Sequence, residues 1–280
     1  MMRLNTFTFS LVVGVLSSVQ VSAQWQALFN GRNMEGWDTY IGPVYDTLKN
    51  SFDTLKVLGL NNDRNKVFSV VYEDGQGALR VSGENFGGIS TTSEFKNYHL
   101  QLQFKWGKKK SPPRKKQKRD SGLLYHAVGK HGVGAGSWMR SQEFQIQEGD
   151  CGEYWGVAGG SFEIPARKYN ETFIYDPSAT KILFNEKSQA GRWCMKRGDP
   201  EKPNGEWNTI DLYCFNDTAI HVVNGVVVMV LYHSAQLEKN NLVPLTKGKI
   251  QIQSEGAEVF YRNIQLEKIN KIPSELIHPK

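Results

Sequence analysis

The sequence predicts an all-β protein, folded as an antiparallel jelly-roll β-sandwich. Its strand-like segments are short, rich in β-branched and aromatic residues, and separated by turn residues. No long segment has a convincing helical period. Asn224-Gly225 lies between two apolar runs and predicts a two-residue hairpin, because both positions accept a positive φ. The predicted strands cover residues 78–82, 99–106, 122–126, 143–147, 207–215, 220–223, 226–232, 249–253 and 258–266.

Two segments are less regular. Residues 46–63 are compatible with a short helix. Residues 156–205 contain scattered charges and several prolines, and we expect long loops there at the mouth of the sandwich. Loops at such a position often carry the residues that recognise a ligand.

The N-terminus has the three parts of a secretory signal peptide. Arg3 precedes an apolar stretch from Phe7 to Val21, and small residues lead to Ala23. We expect cleavage after Ala23 and export to the periplasm or the extracellular space. A membrane span is less favoured, because the apolar run is short and contains serines and a glutamine.

The rest of the chain, residues 24–280, has the length of one large β domain, with no linker or repeat that divides it. Cys151, Cys194 and Cys214 permit at most one disulfide, and their spacing matches no zinc motif. An oxidising compartment allows a bond. We prefer the pair Cys194–Cys214, which flanks one loop.

The formal net charge of +6 comes mainly from one segment, Lys105 to Arg119. This segment has no interleaved aromatic residues of the kind on which single-stranded nucleic acids stack. We therefore interpret it as a solvated loop between strands and expect no nucleic-acid partner. An arm that binds an acidic partner is the alternative.

Polar residues that alternate with apolar ones predict a ligand-binding sheet face. Phe144 and Ile146 point to one side of a strand, whereas Glu143, Gln145 and Gln147 point to the other. Glutamine offers both donors and acceptors to a polyhydroxylated ligand. Similar alternation places Gln103, Gln253 and Glu255 on polar faces of two further strands. We expect one concave face suited to a sugar, although three ordinary half-exposed strands would give the same pattern.

Five sequence blocks, in order, resemble the 3-keto-disaccharide hydrolase domain family. They are LFNGRNMEGW at 28–37, RDSGLLYH at 119–126, EFQIQEGDCGEYW at 143–155, GEWNTIDLYCFNDTAIHVVNG at 205–225 and GKIQIQSEGAEVFYRNIQLEKI at 248–269. The resemblance implies a concanavalin A-like lectin/glucanase sandwich. It also implies an exported enzyme that acts on glycosides already oxidised to the ketone at carbon 3.

Cleavage of such a glycoside requires a base that removes the proton on carbon 2 and a group that stabilises the resulting oxyanion. We expect His126 to be the base, with Glu143 as its partner or as the alternative base. Arg140 and Arg119 are candidate stabilisers of the oxyanion. The candidate substrate-binding residues are Gln145, Gln147, Gln103, Gln253, Glu255, Trp138 and Trp155.

A divalent cation is an open alternative, because Glu148, Asp150 and Glu153 carry the oxygen ligands that such an ion prefers. No cofactor is certain, and the sequence does not give the oligomeric state. Two other functions remain open. One is a carbohydrate-binding module without catalysis, and the other is an ordinary glycosidase that uses a carboxylate pair such as Glu143 and Glu255.

Overall fold

The computed structural model describes residues 24–277, in which nearly all regular structure is β-strand. The predicted signal peptide, residues 1–23, lies outside the described residues. The one helix in the described part of the chain is α1 (Ser274–Ile277), next to the C-terminus. Residues 24–277 therefore contain no apolar helix of membrane-spanning length.

The strands are numbered in chain order. The first ten are β1 (Gln26–Ala27), β2 (Trp37–Asp46), β3 (Ser51–Leu60), β4 (Phe68–Glu73), β5 (Gln76–Val81), β6 (Gly87–Thr91), β7 (Tyr98–Lys110), β8 (Asp120–Val128), β9 (Arg140–Gln147) and β10 (Tyr154–Val157). The others are β11 (Gly160–Tyr169), β12 (Thr172–Tyr175), β13 (Lys181–Phe184), β14 (Trp193–Cys194), β15 (Asn208–Phe215), β16 (Thr218–Val223), β17 (Val226–Glu238), β18 (Asn241–Pro244), β19 (Lys249–Ser254) and β20 (Ala257–Lys268).

These strands form two antiparallel sheets. The smaller sheet has the order β14-β10-β9-β8-β19-β6-β2-β3. The larger sheet has the order β12-β11-β17-β16-β15-β7-β20-β5-β4, with β1, β13 and β18 added beside it. Apolar side chains of both sheets meet in one main hydrophobic core, for example Phe144 and Ile146 of the smaller sheet and Leu212 of the larger. The predicted all-β sandwich is confirmed.

Local sequence signals account for much of this architecture. Each of the nine predicted strands lies at an observed strand, most of which extend further at one or both ends. Asn224 and Gly225 connect β16 to β17 with φ values of 47° and 80°, as the hairpin prediction requires. Phe144 and Ile146 are fully buried, so the alternation in β9 identified the core face correctly.

The two irregular segments were predicted wrongly. Residues 51–60 form strand β3, which pairs with β2, instead of a helix. Strands β11 to β14 lie inside the segment that we expected to be long loops. Strand β11 pairs with β17, which is distant in sequence, and β12 and β13 pair with β11. Pairing with a distant strand has no local sequence signal.

The preferred disulfide is also wrong, because Cys151, Cys194 and Cys214 are all free and buried. Cys194 lies in the edge strand β14 of the smaller sheet, opposite Tyr154. Cys214 lies in β15 of the larger sheet, opposite Tyr98. The two cysteines flank one stretch of sequence, but that stretch passes from one sheet to the other.

The basic segment is more ordered than a solvated loop. Strand β7 continues to Lys110, and the connection to β8 covers residues 111–119. Lys115 and Lys116 are exposed, as expected. Arg114 behaves differently, because its guanidinium group turns inward and pairs with carboxylates of the smaller sheet.

Candidate active site

A cleft of about 480 Å³ lies on the face of the smaller sheet that points away from the core. Strands β8, β9 and β10 and the end of β19 form its floor, and residues 133–135 and 138 form one wall. The polar residues that line it are Arg114, Asp120, Glu143, Gln145, Gln147, Glu186, Arg192, Gln253 and Glu255. The aromatic residues that line it are Trp138 and Trp155.

Strand register brings these side chains to one face. Gln147 lies opposite Asp120, and Trp155 lies opposite Glu143. Residues directly opposite in antiparallel strands point to the same side of a sheet. The alternation within β9 therefore combines with the register of its neighbours to build a single polar surface.

Gly122 makes room at the floor of the cleft. It lies in β8, opposite Gln145, and the space that its missing side chain would fill is occupied by Glu143 Oε1 and Gln253 Oε1. Any side chain at position 122 would push these two groups away. The glycine thus allows a carboxyl group and an amide from two flanking strands to meet above β8.

Three carboxyl groups and one guanidinium group form the charged centre of the cleft. Arg114 makes an ion pair with Asp120, and its Nη1 lies 3.4 Å from Glu255 Oε1. Gln147 Nε2 donates a hydrogen bond to Asp120 Oδ2 at 2.5 Å. Glu143 is 6% exposed and has no ion pair within residues 24–277. Arg114 therefore neutralises part of the cluster and leaves Glu143 without a direct cationic partner.

This environment raises the pKa of all three carboxyl groups. Burial, aided by the negative charge of Asp120, raises the pKa of Glu143 to about 8. Burial also raises the pKa of Asp120 above its usual range, and the guanidinium group of Arg114 opposes this shift. The pKa of Glu255 is raised by burial and by the two other carboxyl groups. The cluster can therefore hold and release protons near neutral pH.

Several buried polar atoms in the cleft have no hydrogen-bond partner within the described residues. They are Arg114 Nε, Asp120 Oδ1, Gln145 Oε1, Trp155 Nε1 and Gln253 Oε1. Buried polar groups in proteins are almost always paired, so a group of unpaired ones marks a place where a ligand or water is bound. These atoms include both donors and acceptors, which suits a ligand with hydroxyl groups.

The 3-keto-alpha-glucoside-1,2-lyase-like domain model matches residues 24–267. The chain belongs to this family. The match supports a carbohydrate-active protein of the glycoside-cleaving type. No curated protein matches the chain.

Solved structures with similar folds include members of several carbohydrate-related groups. A candidate glycosyl hydrolase from Parabacteroides distasonis is 18% identical, covers 88% of this chain and 100% of its own, and has a TM-score of 0.48. A second candidate glycosyl hydrolase from the same organism is 16% identical, covers 88% of this chain and 94% of its own, and has a TM-score of 0.49. The carbohydrate-binding module CBM66 from Bacillus subtilis is 8% identical, covers 72% of this chain and 92% of its own, and has a TM-score of 0.41.

The structure of this family member brings most of the predicted site residues together. The residues of the predicted set that line the cleft are Glu143, Gln145, Gln147, Gln253, Glu255, Trp138 and Trp155. Gln103 does not belong to this group. It lies on β7 in the larger sheet, where it accepts a hydrogen bond from Arg262 Nε at 2.8 Å. The expected single face therefore draws on two of the three predicted glutamine-containing strands.

His126 lies in the core and not in the cleft. Alternation along β8 would place it beside Leu124, on the cleft side of the sheet. However, a β-bulge between Tyr125 and Val128 gives His126 a φ of 51° and breaks the alternation. Its ring, 1% exposed, packs edge-on against Tyr98 of the larger sheet. Burial lowers the pKa of His126 to about 4.

The two predicted arginines are also placed outside the cleft. Arg140 donates to the backbone carbonyl of Ala158 at 2.7 Å. Arg119 pairs with Glu148 at 3.1 Å and donates to the carbonyl of Gly107. Both side chains hold loops beside the cleft, and Arg114 and Arg192 are the arginines that line it.

The three candidate metal ligands do not form one ligand set. Glu148 pairs with Arg119, and Asp150 pairs with Lys118 at 2.6 Å. Glu153 accepts a hydrogen bond from Trp193 Nε1 at 2.6 Å. Within residues 24–277 no group of three or more histidine, cysteine or acidic side chains is arranged to hold a metal ion. These residues therefore do not fit the cation site that the sequence suggested.

Arg114, Asp120 and Arg192 are site residues that the sequence analysis did not select. Asp120 had a usable signal, because it is two residues before Gly122 and therefore on the same face of β8. No sequence signal marks Arg114 as a site residue, since it is one basic residue in a run of basic residues. Only the path of the loop across the end of β8 and β19 brings it to the carboxyl groups.

Proposed function

We propose that this protein cleaves α-glucosides that carry a ketone at carbon 3, by elimination followed by hydration. The family description supports the substrate class. The observation that carries the reaction is the position of Glu143, a buried carboxyl group at the floor of a sugar-sized cleft with no cationic partner within the described residues. This carboxyl group replaces His126 as the proposed base.

The ketone makes the proton on carbon 2 acidic. Glu143, in its ionised form, takes this proton, and the electrons of the broken C–H bond form an enediolate with the oxygen on carbon 3. The enediolate then expels the oxygen on carbon 1 and gives an unsaturated ketone. Water adds to carbon 1, and a proton returns to carbon 2, so the net reaction is hydrolysis. A raised pKa suits this role, because a weaker acid is a stronger base once ionised.

Other residues of the cleft stabilise the enediolate, protonate the leaving oxygen and bind the sugar ring. Arg114 carries a positive charge and an unpaired buried N–H that can stabilise the enediolate oxygen. Asp120 or Glu255, each with a raised pKa, supplies the proton that the leaving oxygen requires. Trp138, Trp155 and the glutamines bind the ring.

The test is incubation of the protein with methyl α-glucoside oxidised at carbon 3, beside the unoxidised parent. We expect cleavage of the oxidised compound alone, and Glu143→Gln should lose at least 100-fold in kcat. Glu206→Gln, a change at an exposed glutamate, is the matched control and should keep full activity. Full activity of Glu143→Gln would rule out the proposed base.

Two further measurements test the route. In D₂O, elimination and hydration should place deuterium on carbon 2 of the product, beyond the exchange seen without protein. Cleavage without this label would contradict the elimination step.

A chelator added to the same assay tests for a divalent cation, and we expect no effect because the candidate ligands are held by other partners.

An ordinary glycosidase is the second candidate, because Glu143 and Glu255 line the same cleft and a carboxylate pair is what that reaction needs. Cleavage of the unoxidised glycoside would favour it. Binding of both compounds without turnover would favour a carbohydrate-binding module.

We also propose that the protein is exported and that its signal peptide is removed after Ala23. Mass spectrometry of protein recovered from the periplasm or the medium should then find a chain that begins at Gln24. Recovery of the complete chain from the cytoplasm alone would contradict export.

A further inference from the structure

Residues 108–119, here called the basic arm, concentrate the positive charge of the molecule. Nine of the 34 lysines and arginines of the chain lie in residues 105–119, which contain no acidic residue. The other 25 are outnumbered by 28 acidic residues, so the rest of the chain has a net charge of −3. A cationic region on an otherwise slightly anionic protein produces a local field that attracts anions to one place.

Most of the lysines in the basic arm have no carboxylate partner. Four of them are exposed and form no ion pair within residues 24–277, namely Lys108, Lys109, Lys115 and Lys116. The carboxyl groups beside the arm are already paired. Glu258 pairs with Arg80 at 2.8 Å, and Asp150 pairs with Lys118 at 2.6 Å. The four ammonium groups are therefore available to an external anion.

Internal contacts hold the backbone of the basic arm in position. Arg114 is anchored at the cleft by its ion pairs, and Arg119 is anchored by its ion pair with Glu148. The backbone N–H of Ser111 donates to the carbonyl oxygen of Gly256 at 2.7 Å. The free lysines thus extend from a loop that is already formed, so docking requires little further ordering of the main chain.

The composition of the basic arm selects the kind of anion that it suits. Its two arginines, whose planar groups favour a fixed bidentate geometry, are used inside the protein. The free cations are all lysines, which are point charges on flexible stems. The arm contains no aromatic residue that could stack on bases or sugar rings, and no large aliphatic residue that could enter hydrocarbon. Such an arm suits a surface dense in phosphate groups, which imposes no fixed geometry.

We propose that the basic arm docks this protein on anionic phospholipid headgroups at a membrane surface. The interaction is electrostatic and reversible, and no part of the arm enters the hydrocarbon layer. Arg114 belongs to the arm and also lines the cleft, so docking places the cleft beside the lipid surface. The inference does not depend on the reaction proposed for the cleft, since none of the four free lysines lines it.

The test is co-sedimentation of the protein with lipid vesicles. One set of vesicles contains phosphatidylglycerol and phosphatidylcholine in equal amounts, and the other contains phosphatidylcholine alone. We expect binding to the anionic vesicles only, in about 0.1 M NaCl, and loss of this binding in about 1 M NaCl because salt screens the attraction.

A variant of the arm identifies the residues responsible. It combines Lys108→Gln, Lys109→Gln, Lys115→Gln and Lys116→Gln. Each lysine close to an anionic surface raises the affinity about fivefold, so this variant should bind the anionic vesicles about 100-fold or more weakly than the wild type. Vesicle binding that the arm variant loses supports the proposal.

A matched control removes the same amount of charge from exposed lysines outside the arm. It combines Lys96→Gln, Lys168→Gln, Lys268→Gln and Lys271→Gln. The control should bind the anionic vesicles nearly as well as the wild type, and circular dichroism should show that both variants are folded. Equal weakening of both variants overturns the proposal, because net charge alone would then explain the binding.

The remaining outcomes also overturn it. They are equal binding to both kinds of vesicle and no binding to either. Another is tighter binding to heparin or single-stranded DNA than to the anionic vesicles, with loss of that binding in the arm variant. The arm would then serve a soluble polyanion instead of a lipid surface.

Discussion

Glu143 is buried next to other carboxyl groups, and this placement costs stability whenever the group is ionised. Its pKa of about 8 is far above the value near 4.3 expected in an unfolded chain. The folded state therefore binds the proton more tightly than the unfolded state. The stabilisation that results is fully present below about pH 4 and is lost as the pH rises through about 8.

The first prediction concerns stability. Glu143→Gln keeps the shape of the side chain but carries no charge, so it avoids the cost of ionisation. We expect the Tm of this variant to exceed that of the wild type by several degrees at pH 9, and by much less at pH 5. Thermal melts at the two pH values measure the difference, with Glu206→Gln as control. A difference that is the same at both pH values would contradict the raised pKa.

The second prediction concerns the pH dependence of turnover. Because the proposed base works only when ionised and the proposed acid only when protonated, kcat/KM for an oxidised α-glucoside should rise with pH as Glu143 ionises and fall again at higher pH as Asp120 or Glu255 loses its proton. The apparent pKa values of this profile describe the three carboxyl groups together, since Asp120 and Glu255 titrate beside Glu143. A pH–rate profile between pH 5 and 10 measures it. A rate that falls across this range would assign Glu143 the role of an acid.

At the scale of elements, the site depends on one loop, on the consecutive strands β8, β9 and β10, and on β19, which is distant from them in sequence. The loop at residues 111–119 delivers Arg114, whose side chain passes over Gly256 and reaches Asp120 and Glu255. Loops carry such residues more often than strands do, because a rigid sheet can hold the loop in position. Here β8 and β19 provide that support.

The third prediction concerns this loop. Arg114→Ala removes the positive charge from the cluster, so kcat should fall about 100-fold or more through loss of oxyanion stabilisation. Lys116→Ala changes an exposed residue of the same loop and should have little effect. Steady-state kinetics of the two variants, with circular dichroism to confirm folding, make the comparison. Equal activity would show that Arg114 has only a structural role.

Strand patterns predicted some elements well and others badly. The alternation in β9 identified both the core face and the cleft face. The strand is regular, and its residues 143–147 alternate between the cleft on one face and the core on the other. The same reasoning failed for His126, because one bulge residue reversed the direction of its side chain. A bulge is set by pairing with the neighbouring strands, so its position is not visible in a single segment.

At the scale of the whole molecule, one core joins the two sheets and includes all three cysteines. Burial raises the pKa of each thiol above its usual range. Buried, protonated thiols react slowly, since the thiolate is the reactive form.

The fourth prediction follows from these buried thiols. The native protein should react with few or no equivalents of a thiol reagent, whereas the denatured protein should react with three, without prior reduction. A reductant should also leave the Tm unchanged. Detection of a single reactive thiol after denaturation would instead indicate a disulfide and contradict the structure.

The sequence by itself determined the fold class, the positions of most strands and the identity of the main cleft strand. Strand formation and hairpin turns depend on neighbouring residues, so Asn224-Gly225 and the alternation around Phe144 were sufficient evidence. Only the tertiary structure decided which polar residues meet. Arg114 joins the site, and Gln103 and His126 leave it, because sheet order, register and one bulge are set by contacts between segments far apart in the chain.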